Sequence, residues 1–330
     1  IPPIPGLEDI EYWTTHEVFK MEKLPKSLIV LGGGTSGCEL GQVLARFGVD
    51  VTIVEAAEHL LPKEEPEASE IVEAEFADEG IDVHTGKKVE RVESRNGSVV
   101  AELSDSEEIS AERLFVAAGR KIDLSELGLE SVDLDPEAPF IKVDERMHVT
   151  DGIWAMGDIT GKSLLTHVGL YQSAIIVADI LGQDHPPARY DAVPRAIFVD
   201  PEVGSVGKTE DEARSEGIDI AVAVKQIPLT FRGAVYGEKR GIIKLVVDRK
   251  AGVLIGATVA GSYGTEMLGF LHLAVHARIP LSELRSMMYA FPAFYSAIGE
   301  ALGTSGRGLT TVLDPDYKGR KILDEVISKK

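Results

Sequence analysis

Cysteine is nearly missing from this chain: Cys38 is the only one among 330 residues. No internal disulfide can form, and a reducing compartment is the default for such a composition. Long apolar runs are missing too, since none approaches the ~20 residues needed to span a bilayer. The opening I-P-P-I-P-G has neither the basic region nor the apolar core of a signal peptide. These absences predict a soluble, cytoplasmic protein. Basic charge is in short supply as well, with 34 Lys and Arg against 54 Asp and Glu, a net charge of −20. Such a surface could not neutralise phosphates, so nucleic acid and anionic membranes are both disfavoured as partners.

What is present suits a folded protein. Hydrophobic residues make up 44%, ample for real cores, and the length predicts two or three domains at about 150 residues each. Residues 1–26 read as a proline-punctuated lead-in with one short helix around Glu17–Met21. L-I-V-L (28–31) is a continuous apolar run, as expected of a strand covered on both faces. Glycines follow, then a helical stretch Thr35–Phe47, a strand V-T-I-V (51–54), a helix Pro66–Glu79 and a strand I-D-V-H (81–84). That alternation predicts a parallel, doubly wound sheet. Residues 88–117 switch to period-two runs, an antiparallel meander that returns to the parallel sheet. Strands are expected near Phe140–Val143 and Ile153–Met156, and a helix over His167–Leu181.

Pro186–Pro187 marks a boundary. Beyond it R-A-I-F-V, I-I-K-L-V-V-D and V-L-I-G-A-T-V-A suggest an antiparallel sheet, the last two joined through R-K-A-G. Helices near 263–277, 281–288 and 292–302 follow, so this part reads as a separate α+β domain.

The chemistry concentrates in G-G-G-T-S-G. It satisfies G-x-G-x-x-G at Gly32, Gly34 and Gly37, follows a strand and opens a helix, with Glu55 closing the next strand. Gly32 permits the tight turn, Gly34 lets backbone approach a pyrophosphate, and Gly37 lets the helix pack on the strand. The helix N-terminus offers N–H groups and partial positive charge to the phosphates. Glu55 would accept from a ribose 2′-hydroxyl, and no Arg follows until Arg91, so NAD is expected over NADP. Glycines serving only a βα turn are the alternative. Cys38, inside that helix with no spaced partner, reads as a small core residue. A second carboxylate raises its own question. In W-A-M-G-D-I-T-G, Asp158 follows glycine at a strand end. It is either a turn former or an acceptor for a cofactor hydroxyl.

Together, G-G-G-T-S-G-C-E-L, A-A-G-R (117–120), W-A-M-G-D, L-L-T-H (164–167), V-D-P-E-V-G-S-V-G-K-T-E (199–210), K-L-V-V-D and G-A-T-V-A-G closely resemble the pyridine nucleotide–disulfide oxidoreductases. That family includes dihydrolipoamide dehydrogenase, mercuric reductase and soluble transhydrogenase. The resemblance covers nearly the whole chain. It implies an α/β chain with a Rossmann-like NAD-binding domain over 27–120, after a lead-in from the flavin domain over 1–26. It further implies the second half of an FAD-binding domain over 121–190 and an interface domain over 191–330 that pairs two copies as a homodimer. Asp158 would hydrogen-bond the FAD ribityl chain. Leu164, Leu165, Thr166 and His167 would lie along the flavin, with a helix N-terminus aimed at it. His167 itself can equally be a helix-cap histidine. Glu39 would sit near the nicotinamide, and Gly119 and Val89 would line the NAD groove.

Two departures shape the expectation. The family begins with about 150 residues that carry an FAD glycine loop and a C-x4-C pair, and nothing here matches them. The expectation is therefore a fragment whose FAD site is incomplete, inactive by itself although its parent is an NADH- and FAD-dependent enzyme. The family's disulfide reductases also place a His before a Pro near the C-terminus, where A-F-P-A-F puts Phe291, and Phe cannot move a proton. Glu300 is out of register with the Glu that orients that His, and the tail V-I-S-K-K has no cysteine pair, so no catalytic residue is assigned. A transhydrogenase-like flavoprotein and a flavin-free NAD-binding dimer remain as alternatives. His272 and His276 lie four apart but lack a third ligand, so no metal site is expected. The run K-E-E-P-E-A-S-E reads as a solvated helix start.

Overall fold

The computed structural model describes residues 1–303. Contacts divide the chain into two units, Ile1–Gly119 with the residues from Pro194 onward, and Arg120–Val193.

In the first unit, Ser27–Leu31, Asp50–Val54, Asp82–His84 and Arg113–Val116 form a four-stranded parallel sheet. Ser27–Leu31 lies between Asp50–Val54 and Arg113–Val116, and Asp82–His84 takes one edge. Leu28, Ile29, Val30, Ile53, Leu114 and Phe115 are buried because helices and a hairpin layer cover both faces. Helices Thr35–Arg46 and Pro66–Asp78 pack on one side through Leu44, Ile71, Val72 and Phe76. Val89–Arg95, Ser98–Leu103 and Glu108–Ala111 make the expected meander, which packs against the other side. The early helix runs Thr15–Lys20, placed by a capping box in which Thr14 and Glu17 satisfy each other's backbone groups.

The same unit contains a five-stranded antiparallel sheet. Its order is Pro194–Ile197, Val203–Gly207, Val253–Ala260, Ile242–Asp248, Ile220–Gln226. The hairpin through R-K-A-G joins Ile242–Asp248 to Val253–Ala260, as expected. Val203–Gly207 is a strand beyond the runs expected for this sheet, and its two glycines do not break it. They serve close packing instead: a β-carbon on Gly204 would stand 3.0 Å from the Gly264 carbonyl oxygen and 3.2 Å from Leu268 Cβ, where helix Gly264–His276 crosses the sheet. Helices Leu281–Ser286 and Ser296–Ala301 follow, both shorter than their sequence pattern suggests. The tail V-I-S-K-K lies outside the described residues.

The second unit is built on helix Thr166–Ile180 and a small pair of strands, His148–Thr150 and Ile153–Trp154. Phe140–Val143 is not a strand. It makes one ladder-like bond, from Ile141 N–H to the Ile159 carbonyl at 2.8 Å, and no neighbouring strand continues the pairing. Among the described residues no helix is long and apolar enough to cross a membrane.

Candidate nucleotide-binding site

The glycine loop is shaped by what a side chain would hit. Gly32 has φ +110°, and a β-carbon there would stand 2.7 Å from the Ala117 carbonyl oxygen. At Gly37 it would stand 1.9 Å from the Gly32 carbonyl oxygen, so the helix meets the strand at bare backbone distance. Gly34 differs, because a β-carbon there meets nothing within 4 Å. The loop is tight underneath and open at Gly34. Gly34 also caps helix Thr35–Arg46 without a side-chain hydrogen bond, so no side chain at the cap takes the first-turn N–H groups.

Glu55 closes the loop from the neighbouring strand. Its Oε2 accepts from the Gly33 N–H at 2.6 Å, and its Oε1 from the Ala57 N–H at 2.8 Å. Two backbone donors thus fix the carboxylate at the strand end. The sequence did not single out Gly33, yet a β-carbon there would meet Leu60 Cδ2 at 2.4 Å and Glu55 Cβ at 3.0 Å, so a larger residue fits only if the buried Leu60 side chain shifts. Cys38 lies fully buried beneath the loop, with its Sγ 3.2 Å from the Gly33 carbonyl. Burial, then the negative charges of Glu55 and Glu39, push its thiol well above the usual range, which makes it unreactive.

Glu39 is half-buried on the helix that follows. Its Oε1 accepts from the Phe198 N–H at 2.7 Å. Burial raises its carboxyl, and that backbone bond pulls it partly back. Gly119 sits exposed at φ +107° with open space around its α-carbon. Val89 is buried in the core beneath the meander, paired with Leu103, a placement that leaves only its backbone for any groove.

In the second unit, Asp158 opens a single 3-10 turn, Asp158–Thr160, behind Gly157 at φ +77°. Its Oδ2 lies 3.3 Å from Arg120 Nη1. Gln172, fully buried, fixes the turn by accepting from the Gly157 N–H at 2.6 Å. Leu164 is exposed, Leu165 caps helix Thr166–Ile180 without a side-chain bond, and Thr166 and His167 form its exposed first turn. The turn and the helix start are thus tied through Gln172 on the same helix.

The acidic run does not behave as a solvated helix start. Glu64, Glu65 and Glu67 are 6%, 2% and 5% exposed. Lys244, from the middle of a buried strand, reaches Glu65 and Glu67 at 2.8 Å each and Glu210 at 3.0 Å. Arg195 pairs with Glu64 at 2.8 Å. The carboxylates are buried because they join the parallel sheet's helix layer to the antiparallel sheet. The signal was a lone lysine inside the apolar strand I-I-K-L-V-V-D. Gln42 adds to this joint by exchanging hydrogen bonds with the Asp200 backbone at 2.7 and 2.8 Å.

The remaining candidates resolve plainly. His272 and His276 lie with ring centroids 5.8 Å apart and tilted at 59°, and among the described residues no group of three or more potential ligands could hold a metal ion. Glu300 pairs with Lys225 at 2.9 Å. Phe291 is 69% exposed and packs against Phe231 at 5.2 Å, while Phe294 is only 8% exposed, wedged between Tyr236 and Tyr263.

This arrangement has close counterparts. The family model described as pyridine nucleotide-disulphide oxidoreductase matches residues 1–175, and its dimerisation domain matches residues 193–302. The dihydrolipoyl dehydrogenase of Chlorobaculum tepidum is 35% identical over 90% of this chain and 65% of its own length. That of Bacillus subtilis is 34% identical over 93% and 66%. The chain thus spans just under two thirds of the length of these relatives. Among solved structures, the Cu(II) complex of the HOCl-induced flavoprotein disulfide reductase RclA from Escherichia coli superimposes with TM-score 0.82 at 30% identity, covering 92% of this chain and 69% of that one. LpdA from Mycobacterium tuberculosis gives TM-score 0.82 at 26% identity, covering 92% and 66%.

Proposed function

The chain belongs to the pyridine nucleotide–disulphide oxidoreductase family, and we propose that it supplies the NADH-binding and subunit-pairing parts of an FAD-dependent oxidoreductase. The observation that carries this reading is the loop itself, closed by packing at Gly37 and open at Gly34. Pyrophosphate would lie over Gly34 at the uncapped helix start, where N–H groups and the helix dipole meet its charge. The Glu55 carboxylate, already fixed by Gly33 and Ala57, would accept from the ribose 2′-hydroxyl and repel a 2′-phosphate. Glu39, anchored on Phe198, would border the nicotinamide, and Gly119 would leave its side of the groove clear.

The second unit fits part of a flavin site. Asp158 presents a carboxylate oxygen bonded only at 3.3 Å, suited to accept from a ribityl hydroxyl. Helix Thr166–Ile180 presents an uncapped N-terminus that would favour electron density on a ring placed before it. Bound flavin would supply hydride acceptance from NADH and onward transfer to an acceptor. The chain's single G-x-G-x-x-G belongs to the NADH loop, so it supplies no second cradle for the flavin pyrophosphate, and we expect the purified chain not to retain FAD stoichiometrically. The exposed Phe291 can neither give nor take a proton, which favours an acceptor needing no acid–base residue there, as in a transhydrogenase-like flavoprotein. In solution the C-terminal sheet would pair two copies in the cytoplasm as a homodimer.

Calorimetric titration with NADH and NADPH tests the nucleotide reading. NADH should bind more tightly, and Glu55→Arg should narrow or invert the preference while weakening NADH, because it removes both the ribose acceptor and the ligand of the Gly33 N–H. Tighter NADPH binding by the unaltered chain would remove the case for Glu55.

A further inference from the structure

We propose that Lys87 is a second determinant of nucleotide choice, a cation beside the ribose end of the loop that Asp105 and Glu107 hold out of reach of a 2′-phosphate. The inference rests on reading the glycine loop as an NADH site, and it adds a residue that sequence spacing hid. Sequence alone puts Lys87 thirty-two positions after Glu55. The fold puts the two side by side: the Glu55 N–H donates to the His84 carbonyl at 2.8 Å, the Lys87 N–H to the Glu55 carbonyl at 3.1 Å, and the Gly86 N–H to the Ala57 carbonyl at 2.7 Å. The strand end that carries the ribose acceptor is therefore flanked by a lysine, whose flexible four-carbon stem could turn an ammonium toward a bound phosphate.

The lysine is committed elsewhere. Its Nζ lies 2.8 Å from Asp105 Oδ2 and 2.6 Å from Glu107 Oε2, with His84 Nδ1 at 3.4 Å. Both carboxylates come from the turn between strands Ser98–Leu103 and Glu108–Ala111, where the Glu107 N–H also donates to Asp105 Oδ1 at 3.3 Å. The hydrogen bonds it donates to Asp105 and then to Glu107 raise the lysine pKa, so the ammonium stays charged and engaged. One ammonium against two carboxylates leaves a local charge of −1, and Glu55 and Glu58 add to it. A phosphate monoester brings a further charge of about −1.5 to −2. It would meet net repulsion at the place where a free lysine would have attracted it, whereas a 2′-hydroxyl is indifferent. Selectivity of this kind comes from withholding a partner from the wrong ligand.

Titrating three proteins with NADH and NADPH tests this: the unaltered chain, Asp105→Asn with Glu107→Gln, and that double variant carrying Lys87→Met as well. Asp105 and Glu107 side chains are 48% and 45% exposed, so the fold should survive, and Glu107→Gln alone should show a smaller gain of the same sign. The expected result is NADPH binding about tenfold tighter in the double variant, with NADH changed less than about threefold, and loss of that gain in the triple variant. An unchanged NADPH affinity in the double variant, alongside normal NADH binding, overturns the proposal. So does a gain that persists without Lys87, which would assign it to lost negative charge alone. If the unaltered chain binds no NADH, the loop reading fails first and this proposal falls with it.

Discussion

A β-carbon on Gly37 would stand 1.9 Å from the carbonyl oxygen of Gly32. The third glycine of the loop is therefore set by packing between helix Thr35–Arg46 and the strand before it, independently of any ligand. Gly37→Ala forces backbone to move, since neither partner is a flexible side chain. We expect a loss of roughly 2 kcal/mol or more, read from denaturant midpoints. A stability within about 0.5 kcal/mol of the parent would show that the helix sits less tightly than described.

The joint around Lys244 makes a different prediction. Three buried carboxylates, Glu65, Glu67 and Glu210, surround one buried ammonium, with Arg214 also reaching Glu210 at 2.7 Å. Removing the ammonium by Lys244→Ala leaves carboxylates buried without it and should cost about 3 kcal/mol or more. Burial raises the Glu65 carboxyl above its ordinary value of 4.5, and the Lys244 charge pulls it only partly back. The folded state therefore holds a proton at Glu65 more tightly than the unfolded state does, so this site's contribution to stability falls as pH rises above that value. Glu65→Gln removes the dependence while Glu67 and Glu210 still hold Lys244. Thermal melts should show the variant gaining on the parent as pH rises above 4.5. A constant difference would mean Glu65 is fully ionised across that range.

How legible this was depended on range. The parallel sheet, the meander, the R-K-A-G hairpin and the three motif glycines came through because strand periodicity and turn chemistry act over a few residues. Val203–Gly207 was hidden because its Gly204 answers to Gly264 and Leu268, some sixty residues away, and its Gly207 to the Ile255 backbone of the neighbouring strand. The burial of Glu64, Glu65 and Glu67 was hidden for the same reason, since the partners that make it tolerable, Arg195 and Lys244, lie in another sheet. In the candidate site, Glu55 could be read from its spacing. Its neighbour Lys87 could not, because only strand pairing brings it alongside.

The aromatic stretch M-M-Y-A-F-P-A-F-Y divides into two roles, which sharpens the dimer prediction. Met288 and Phe291 are 95% and 69% exposed, whereas Phe294 is 8% exposed and fills this domain's own core. Phe291→Asp should weaken self-association with little change in fold, and light scattering at low micromolar concentration should move from twice the chain mass toward the single chain. Phe294→Asp should instead destabilise the fold itself, by burying a charge among Tyr236 and Tyr263. If Phe291→Asp leaves the mass at two chains, that side chain is not in the contact. If the unaltered chain is a monomer, the pairing role proposed for the C-terminal sheet is wrong.

The nucleotide site is tested most directly at Gly34, where a methyl group meets no protein atom within 4 Å and so leaves the fold intact. It would occupy the space the pyrophosphate needs. Calorimetric titration of the unaltered chain should show saturable NADH binding at one site per chain. Gly34→Ala, with an unchanged melting temperature, should bind at least about tenfold more weakly. Equal NADH affinity in the two proteins, or no binding by the unaltered chain, would contradict the glycine loop as the place where NADH is held.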